Sequence, residues 1–274
     1  MVTSGTVIDL QAYFARTGYT GDTAPTLATL HGIVRAHAQT IPFENLDVLL
    51  GRRIGLSPAD LVAKLVTARR GGYCFEQNGL LLLVLEALGF AARPISARVR
   101  YQRPRDYTPP RTHLFVRVEL DGEPWLADVG VGSMSLASAI RLAEIGEQAT
   151  PHEPRRLIRE GALLYHQARL GDTWHDVYET TLEEMPPIDR EVANWFTSAH
   201  PESHFKSRLV AARALPDGRL SLVNRELTRR APDGTAQTRI LGSPDELLAV
   251  LRDDFGLAFP PGTRFACPGV DWSA

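Results

Sequence analysis

The sequence predicts an α+β fold in three consecutive parts: an N-terminal helical bundle, a central β-barrel and a C-terminal α/β lid. Three observations carry this. Up to about Phe90, apolar residues recur at three- and four-residue spacing, the period of a helix face. From Ala91 to about Thr181 the period falls to two, as in half-buried strands. Beyond Pro186-Pro187 both patterns mix. The expected parts are residues 1–90, 91–185 and 186–274.

In the first part, Leu27, Leu30, Ile33 and Val34 share one helix face. Ser57-Pro58-Ala59-Asp60 reads as a helix start: a serine cap, proline at the first helical position and an acid in the first turn. That helix is expected to run to about Arg69, with Leu61, Leu65 and Val66 inward. Gly71-Gly72 breaks the chain, and a second helix from Phe75 to Leu88 ends at Gly89, a left-handed cap.

The second part begins with a strand over Ile95–Tyr101. His113–Leu120 and Trp125–Val129 flank Asp121-Gly122, a hairpin-turn pair, and Leu163–Leu170 and Trp174–Thr180 flank Gly171-Asp172 in the same way. Hairpins this closely spaced form a small barrel or sandwich. The third part is expected to hold a short helix over Ile188–Thr197, hairpin signals at Asp217-Gly218 and Asp233-Gly234, and a last helix opened by the capping box Ser243-Pro244-Asp245-Glu246 and running to about Phe255.

Composition narrows the function. The 274 residues are 44% hydrophobic and 23% charged, enough for a sizeable core and too ordered for a disordered chain. A net charge of −2 argues against binding nucleic acid or an anionic membrane. The longest apolar stretch, Leu80–Leu88, is interrupted by Glu86 and is far shorter than the ~20 residues of a membrane span. Met1–Gly5 shows no leader-like basic region. Two cysteines, Cys74 and Cys267, make neither a disulfide framework nor a zinc site. The expectation is a soluble, cytoplasmic protein that uses no metal. Consistent with that, His31 and His37 stand six apart, and no His-x-x-x-His pair or phosphate-binding glycine loop occurs.

The chemistry concentrates around Arg70-Gly71-Gly72-Tyr73-Cys74-Phe75-Glu76. A cysteine in the first turn of a helix meets unpaired N–H groups and about half a positive charge, which favour thiolate, as does a nearby arginine. The glycines permit backbone angles other residues resist and keep the approach to sulfur open. Alternatively Cys74 is a small core residue. A thiolate nucleophile needs a base and a group to orient it. His113 opens one strand of the Asp121-Gly122 hairpin and Asp128 ends the other, so antiparallel pairing brings them together. Singly, His113 reads as a surface strand residue and Asp128 as a turn cap; with Cys74 they form a Cys–His–Asp core of the cysteine-protease kind. Glu44 lies in an apolar segment with Arg70 as its counter-charge, and Phe43 beside it is either core or pocket. Asn194 to Phe205 mixes aromatics with small hydroxyls.

With these residues assembled, the chain resembles the arylamine N-acetyltransferases. The resemblance runs in order through Tyr13-Phe14-Ala15-Arg16, Pro42-Phe43-Glu44-Asn45-Leu46, Arg70–Glu76, Arg111-Thr112-His113, Asp128-Val129-Gly130 and the Asn194–Phe205 stretch. It implies a ping-pong acetyl transfer from acetyl-CoA to an aromatic amine or hydrazine, with Cys74 as nucleophile, His113 as its partner and Asp128 as orienter. It further implies that Phe43 and Phe205 line the acceptor pocket and that the CoA arm approaches Thr112, Gly130 and Gly132. The family often reads Asp-Val-Gly-Phe-Gly-Gly where this chain has Asp128-Val129-Gly130-Val131-Gly132-Ser133. Loss of an aromatic ring at Val131 is expected to widen the pocket and alter acceptor preference. The rival readings are a cysteine amidase or hydrolase, an amide synthase of the same fold, and a non-catalytic thiol-bearing module.

Overall fold

The computed structural model describes residues 8–265, 267–270 and 272. Met1–Gly5, read above for a leader, lie outside the described residues. Asp9 caps α1 (Leu10–Thr17) by accepting from Ala12 N at 3.1 Å, and Thr26 caps α2 (Leu27–Thr40) by accepting from Thr29 N at 3.2 Å. A two-residue strand, β1 (Phe43–Glu44), and two single-turn helices, α3 (Leu46–Leu49) and α4 (Pro58–Leu61), lead to α5 (Cys74–Ala87). Helix α5 is buried on nearly every side: Leu80, Leu81, Val84 and Leu85 are fully covered, as a helix apolar all round requires. It packs on the first two long strands and forms one cluster with Leu30, Ile33, Phe115, Val116 and Leu126.

The barrel strands are β2 (Ala91–Val99), β3 (His113–Leu120), β4 (Glu123–Ala127), β5 (Ile140–Arg141), β6 (Gly146–Gln148), β7 (Arg155–Glu160), β8 (Leu163–Leu170) and β9 (Thr173–Thr180). They join in the order β5-β4-β3-β2-β9-β8-β7-β6. The two end strands are stitched by one side chain. Gln148 Oε1 accepts from Arg141 N at 2.8 Å and Nε2 donates to Arg141 O at 2.9 Å, leaving the barrel nearly closed. Asp121 and Gly122 both take positive φ, 53° and 80°, which matches the twist of a two-residue hairpin.

Helix α6 (Pro187–Ala199) leads into a second sheet of β10 (Val210–Leu215), β11 (Gly218–Val223), β12 (Glu226–Arg230) and β13 (Ala236–Ile240), backed by α7 (Pro244–Asp253). Strand β1 adds to its edge, Phe43 opposite Ala212 and Glu44 opposite Ala211. The predicted fold class, helices, barrel and α/β layer in that order, is the one observed.

Three local expectations need correction. The helix from Pro58 does not stay α to Arg69: Val62–Thr67 widens into a π-helical turn, and the chain leaves it through Arg69 at φ 53°. The strand expected to reach Val129 ends at Ala127, because the Asp128 carboxylate turns to polar partners described below. Gly218 is the first strand residue rather than part of the turn, and a Cβ there would meet Arg230 O at 2.2 Å. Strand β7 had no counterpart among the expected strands; one of its inward residues is Arg155, which is completely buried.

Candidate active site

The site is built on the start of α5. Glu76 Oε2 accepts from Tyr73 N at 3.0 Å, capping the helix whose first residue is Cys74. The glycines before it serve space rather than unusual angles, since neither is among the residues of positive φ. A Cβ on Gly71 would stand 2.1 Å from Pro42 O, and one on Gly72 would stand 2.6 Å from the Glu76 carboxylate. Arg70 is committed to carboxylates, with Nη2 on Glu44 Oε1 at 2.7 Å and Nη1 on Asp47 Oδ1 at 3.1 Å.

His113 is the first residue of β3, and Asp128 follows the last residue of β4. Val116 pairs with Ala127, so one more step of that register sets Asp128 opposite Phe115, two residues from His113 and on its face. The side chains meet: His113 Nε2 lies 2.7 Å from Asp128 Oδ2. The Cys74 sulfur is within hydrogen-bonding reach of the same ring and donates to Thr112 O at 3.4 Å. With Nε2 on the acid, Nδ1 is the ring nitrogen left for sulfur. Cys74 is 6% exposed, His113 1% and Asp128 0%, so these polar groups must satisfy one another.

Asn78, one turn beyond Cys74, holds the acid from the nucleophile's own helix. Its Nδ2 donates to Asp128 Oδ1 at 2.8 Å and its Oδ1 accepts from Val129 N at 3.0 Å. Gly130 N also donates to Asp128 Oδ1, at 2.9 Å. Burial opposes charge on His113, but the Asp128 carboxylate and, after it, Cys74 together outweigh it and push the ring up to about 10. Burial likewise opposes charge on Asp128, while His113, Asn78 and Gly130 hold its carboxyl below the usual range. Sequence reading gave Asn78 no role. The signal was a polar residue four positions after Cys74, on the same face of the helix.

The remaining expected residues divide. Phe43 and Phe205 meet edge to face with centroids 6.1 Å apart, and Tyr73 meets Phe205 at 5.4 Å. These three share an apolar cluster with Cys74, Leu114 and Met185. Asn45 fixes the Phe205 segment by donating to Phe205 O at 2.9 Å and Arg208 O at 2.7 Å. Asn194 accepts from the Tyr73 hydroxyl and donates to Ile54 O at 3.0 Å, tying α6 to the start of α5. Gly132 approaches Phe43, with its notional Cβ 3.8 Å from the ring. Gly130 packs on α5 itself, where a Cβ would lie 2.8 Å from Cys74 Cα. Val131 does not join the aromatic cluster; it packs half-buried against the helix–barrel core. Thr112 borders a cavity of about 360 Å³ also lined by Met185, Val192, Ala193 and Phe196. Cys267 is distant from this chemistry, in the apolar cluster of the second sheet with Asn224 Oδ1 3.8 Å from its sulfur.

Beneath the site, Lys64 Nζ bonds Glu76 at 2.6 Å and Asp47 at 3.1 Å. Burial pushes the Glu76 carboxyl up to about 7, with Lys64 acting against the rise. Lys64→Met leaves that buried carboxylate without its cation, which costs about 3 kcal/mol or more. The sign follows from linkage. A carboxyl raised in the folded state contributes stability that is present below its unfolded value and lost as pH rises through the folded one. The loss of melting temperature in Lys64→Met should therefore be greater at pH 8 than at pH 5, as measured by thermal denaturation. An equal loss at both would mean that Glu76 is not the group left uncompensated.

Comparison with known proteins places the chain in a family. A family model described as N-acetyltransferase matches residues 26–262. The arylamine N-acetyltransferase of Mycobacterium tuberculosis is 42% identical over 254 residues, covering 91% of this chain and 89% of that protein. A Salmonella typhimurium relative named arylamine N-acetyltransferase / N-hydroxyarylamine O-acetyltransferase is 40% identical over 250 residues, covering 90% of this chain and 88% of that one. The solved structure of Mycobacterium marinum arylamine N-acetyltransferase in complex with CoA superposes with a TM-score of 0.88 at 40% identity, covering 91% of this chain and 93% of that chain. The chain belongs to the arylamine N-acetyltransferase family, a family of acyltransferases.

Proposed function

We propose that this protein carries the acetyl group of acetyl-CoA to the nitrogen of an arylamine or arylhydrazine by a ping-pong route through acetyl-Cys74. One observation carries the reading: a first-turn cysteine within reach of a buried histidine that is itself held by a buried carboxylate. The Mycobacterium marinum complex with CoA supports the donor, and the relatives' names support the acceptor.

In the first half, the Cys74 sulfur attacks the thioester carbon. The C–S bond to CoA breaks, and His113 returns a proton to the departing CoA thiolate. In the second half, the amine nitrogen attacks acetyl-Cys74. The Cys74 C–S bond breaks and His113 accepts the nitrogen's proton. Asp128 keeps the ring's Nε2 engaged throughout, so Nδ1 faces the reacting atoms. An aromatic amine suits the second half because it is a weak base and stays unprotonated at neutral pH. Phe43 and Phe205 offer it ring faces and edges, while Thr112, Gly130 and Gly132 border the approach of the CoA arm. Val131, packed against the helix–barrel core, offers the acceptor no aromatic ring and so alters acceptor preference. In this reading residues 1–90 supply the nucleophile, 91–185 the histidine and acid, and 186–274 the lid.

The test is discharge of the acylated enzyme. Acetyl-CoA should give a stoichiometric acetyl-enzyme, and an added aniline should discharge it much faster than water does, as followed by free CoA and acetanilide. Discharge at one rate with and without amine would instead mark a hydrolase.

A further inference from the structure

Behind His113 and Asp128, two buried arginines from separate sheets meet on one buried carboxylate. Glu153 lies just before β7, Arg155 opens β7, and Arg219 is in β11 of the other sheet. They are 5%, 0% and 4% exposed. Arg219 grips Glu153 with a two-pronged contact, Nε to Oε2 at 2.8 Å and Nη2 to Oε1 at 2.8 Å, and Arg155 Nη2 donates to the same Oε1. Each arginine also holds a backbone carbonyl. Arg155 Nη2 donates to Met134 O at 2.8 Å and Arg219 Nη1 to Ser135 O at 2.7 Å.

Those two carbonyls end the loop that starts at Asp128. The loop is closed on itself, with Leu136 N donating to Asp128 O at 2.7 Å and Val131 N to Ser135 Oγ at 3.0 Å. A second path reaches the histidine: Arg155 Nη1 is 3.4 Å from His166 Nε2, the His166 ring is 4.7 Å from Tyr178, and Tyr178 is 5.0 Å from His113. The groups facing His113 and Asp128 are thus Cys74 and Asn78 from α5, His166 from β8 and Tyr178 from β9, with Arg155 of β7 behind them.

A buried cluster of two cations and one anion is a weak device for stability, because apolar side chains of the same volume often do as well. Its distinctive property is geometric: a planar guanidinium on a carboxylate has one good orientation. We propose that Glu153, Arg155 and Arg219 are positioning residues that lock the 128–136 loop between the two sheets and so hold Asp128 and His113 in the orientation that activates Cys74. This rests on the acyl-transfer reading above.

The experiment is iodoacetamide alkylation of Cys74, read by peptide mass across about pH 5 to 10, in wild type, Arg219→Met and Arg219→Lys. Wild type should alkylate readily at pH 6. Folded Arg219→Met, checked by circular dichroism, should alkylate about tenfold more slowly there, with the midpoint of the pH curve raised by about one unit. Arg219→Lys, which keeps the charge but not the fork, should also be slow, and it serves as the test if the methionine variant does not fold. An unchanged curve in a folded variant overturns the positioning role. A wild-type midpoint at the free-thiol value of about 8.5 removes the activated cysteine itself, and the positioning role falls with it.

Discussion

Cys74→Ala is expected to gain no acetyl group from acetyl-CoA and to lose turnover by a factor on the order of 10⁴ to 10⁶, the scale on which removal of a covalent nucleophile acts. Intact mass spectrometry of wild type and variant side by side reads this directly. The alternative thiol, Cys267, sits in the apolar cluster of the second sheet with Leu222 and Phe265. The variant should fold, because the sulfur's backbone bond is a single 3.4 Å contact to Thr112 O and the methyl group fits the space. An acetyl adduct persisting in Cys74→Ala would place the nucleophile elsewhere and end the reading.

The second large effect is expected from Asp128→Asn. The amide preserves volume and can still meet Asn78 and Gly130, but it offers His113 no charge. Turnover should fall by about 10⁴, as when a triad acid becomes an amide and the ring loses its working tautomer. The pH dependence of stability gives an independent reading. In the wild type His113 is pushed up to about 10 because the carboxylate and, after it, Cys74 outweigh burial. A raised group contributes stability that is fully present below its unfolded value near 6.5 and lost as pH rises through the folded one. Asp128, held low, contributes stability above the ordinary carboxylate value and loses it as pH falls through its own. Melting temperatures of wild type and Asp128→Asn should differ most between about pH 4 and 6.5, narrow as pH rises from there, and converge above about pH 10. A gap constant up to pH 11 would mean the ring is not held charged by this acid.

Much of this site was legible because its elements are local. The helix start at Cys74 follows from a glycine pair and an apolar run, both within one short stretch. The His113–Asp128 meeting follows from a two-residue turn and the parity of strand pairing, which survive even though β4 ends one residue before the acid. What requires the glycines is tertiary space rather than unusual backbone angles. Pro42 O and the Glu76 carboxylate crowd Gly71 and Gly72, and neither neighbour's proximity is visible along the chain.

Other features had no local sign. Gln148 closes the barrel through Arg141, and β1 joins a sheet whose nearest partner strand lies more than 150 residues later. Strand β7 had no counterpart among the expected strands, and what justifies its buried Arg155, Glu153 with Arg219, comes partly from another sheet. The amino-acid order alone determined the three-part succession, the helix carrying the sulfur and the hairpin carrying ring and acid. Period, caps and turns act over a few residues, so short-range sterics and burial settle them. Only the folded chain decided which buried charges face one another, since the cost of an unpaired charge is relieved by whatever element packing brings within about 3 Å.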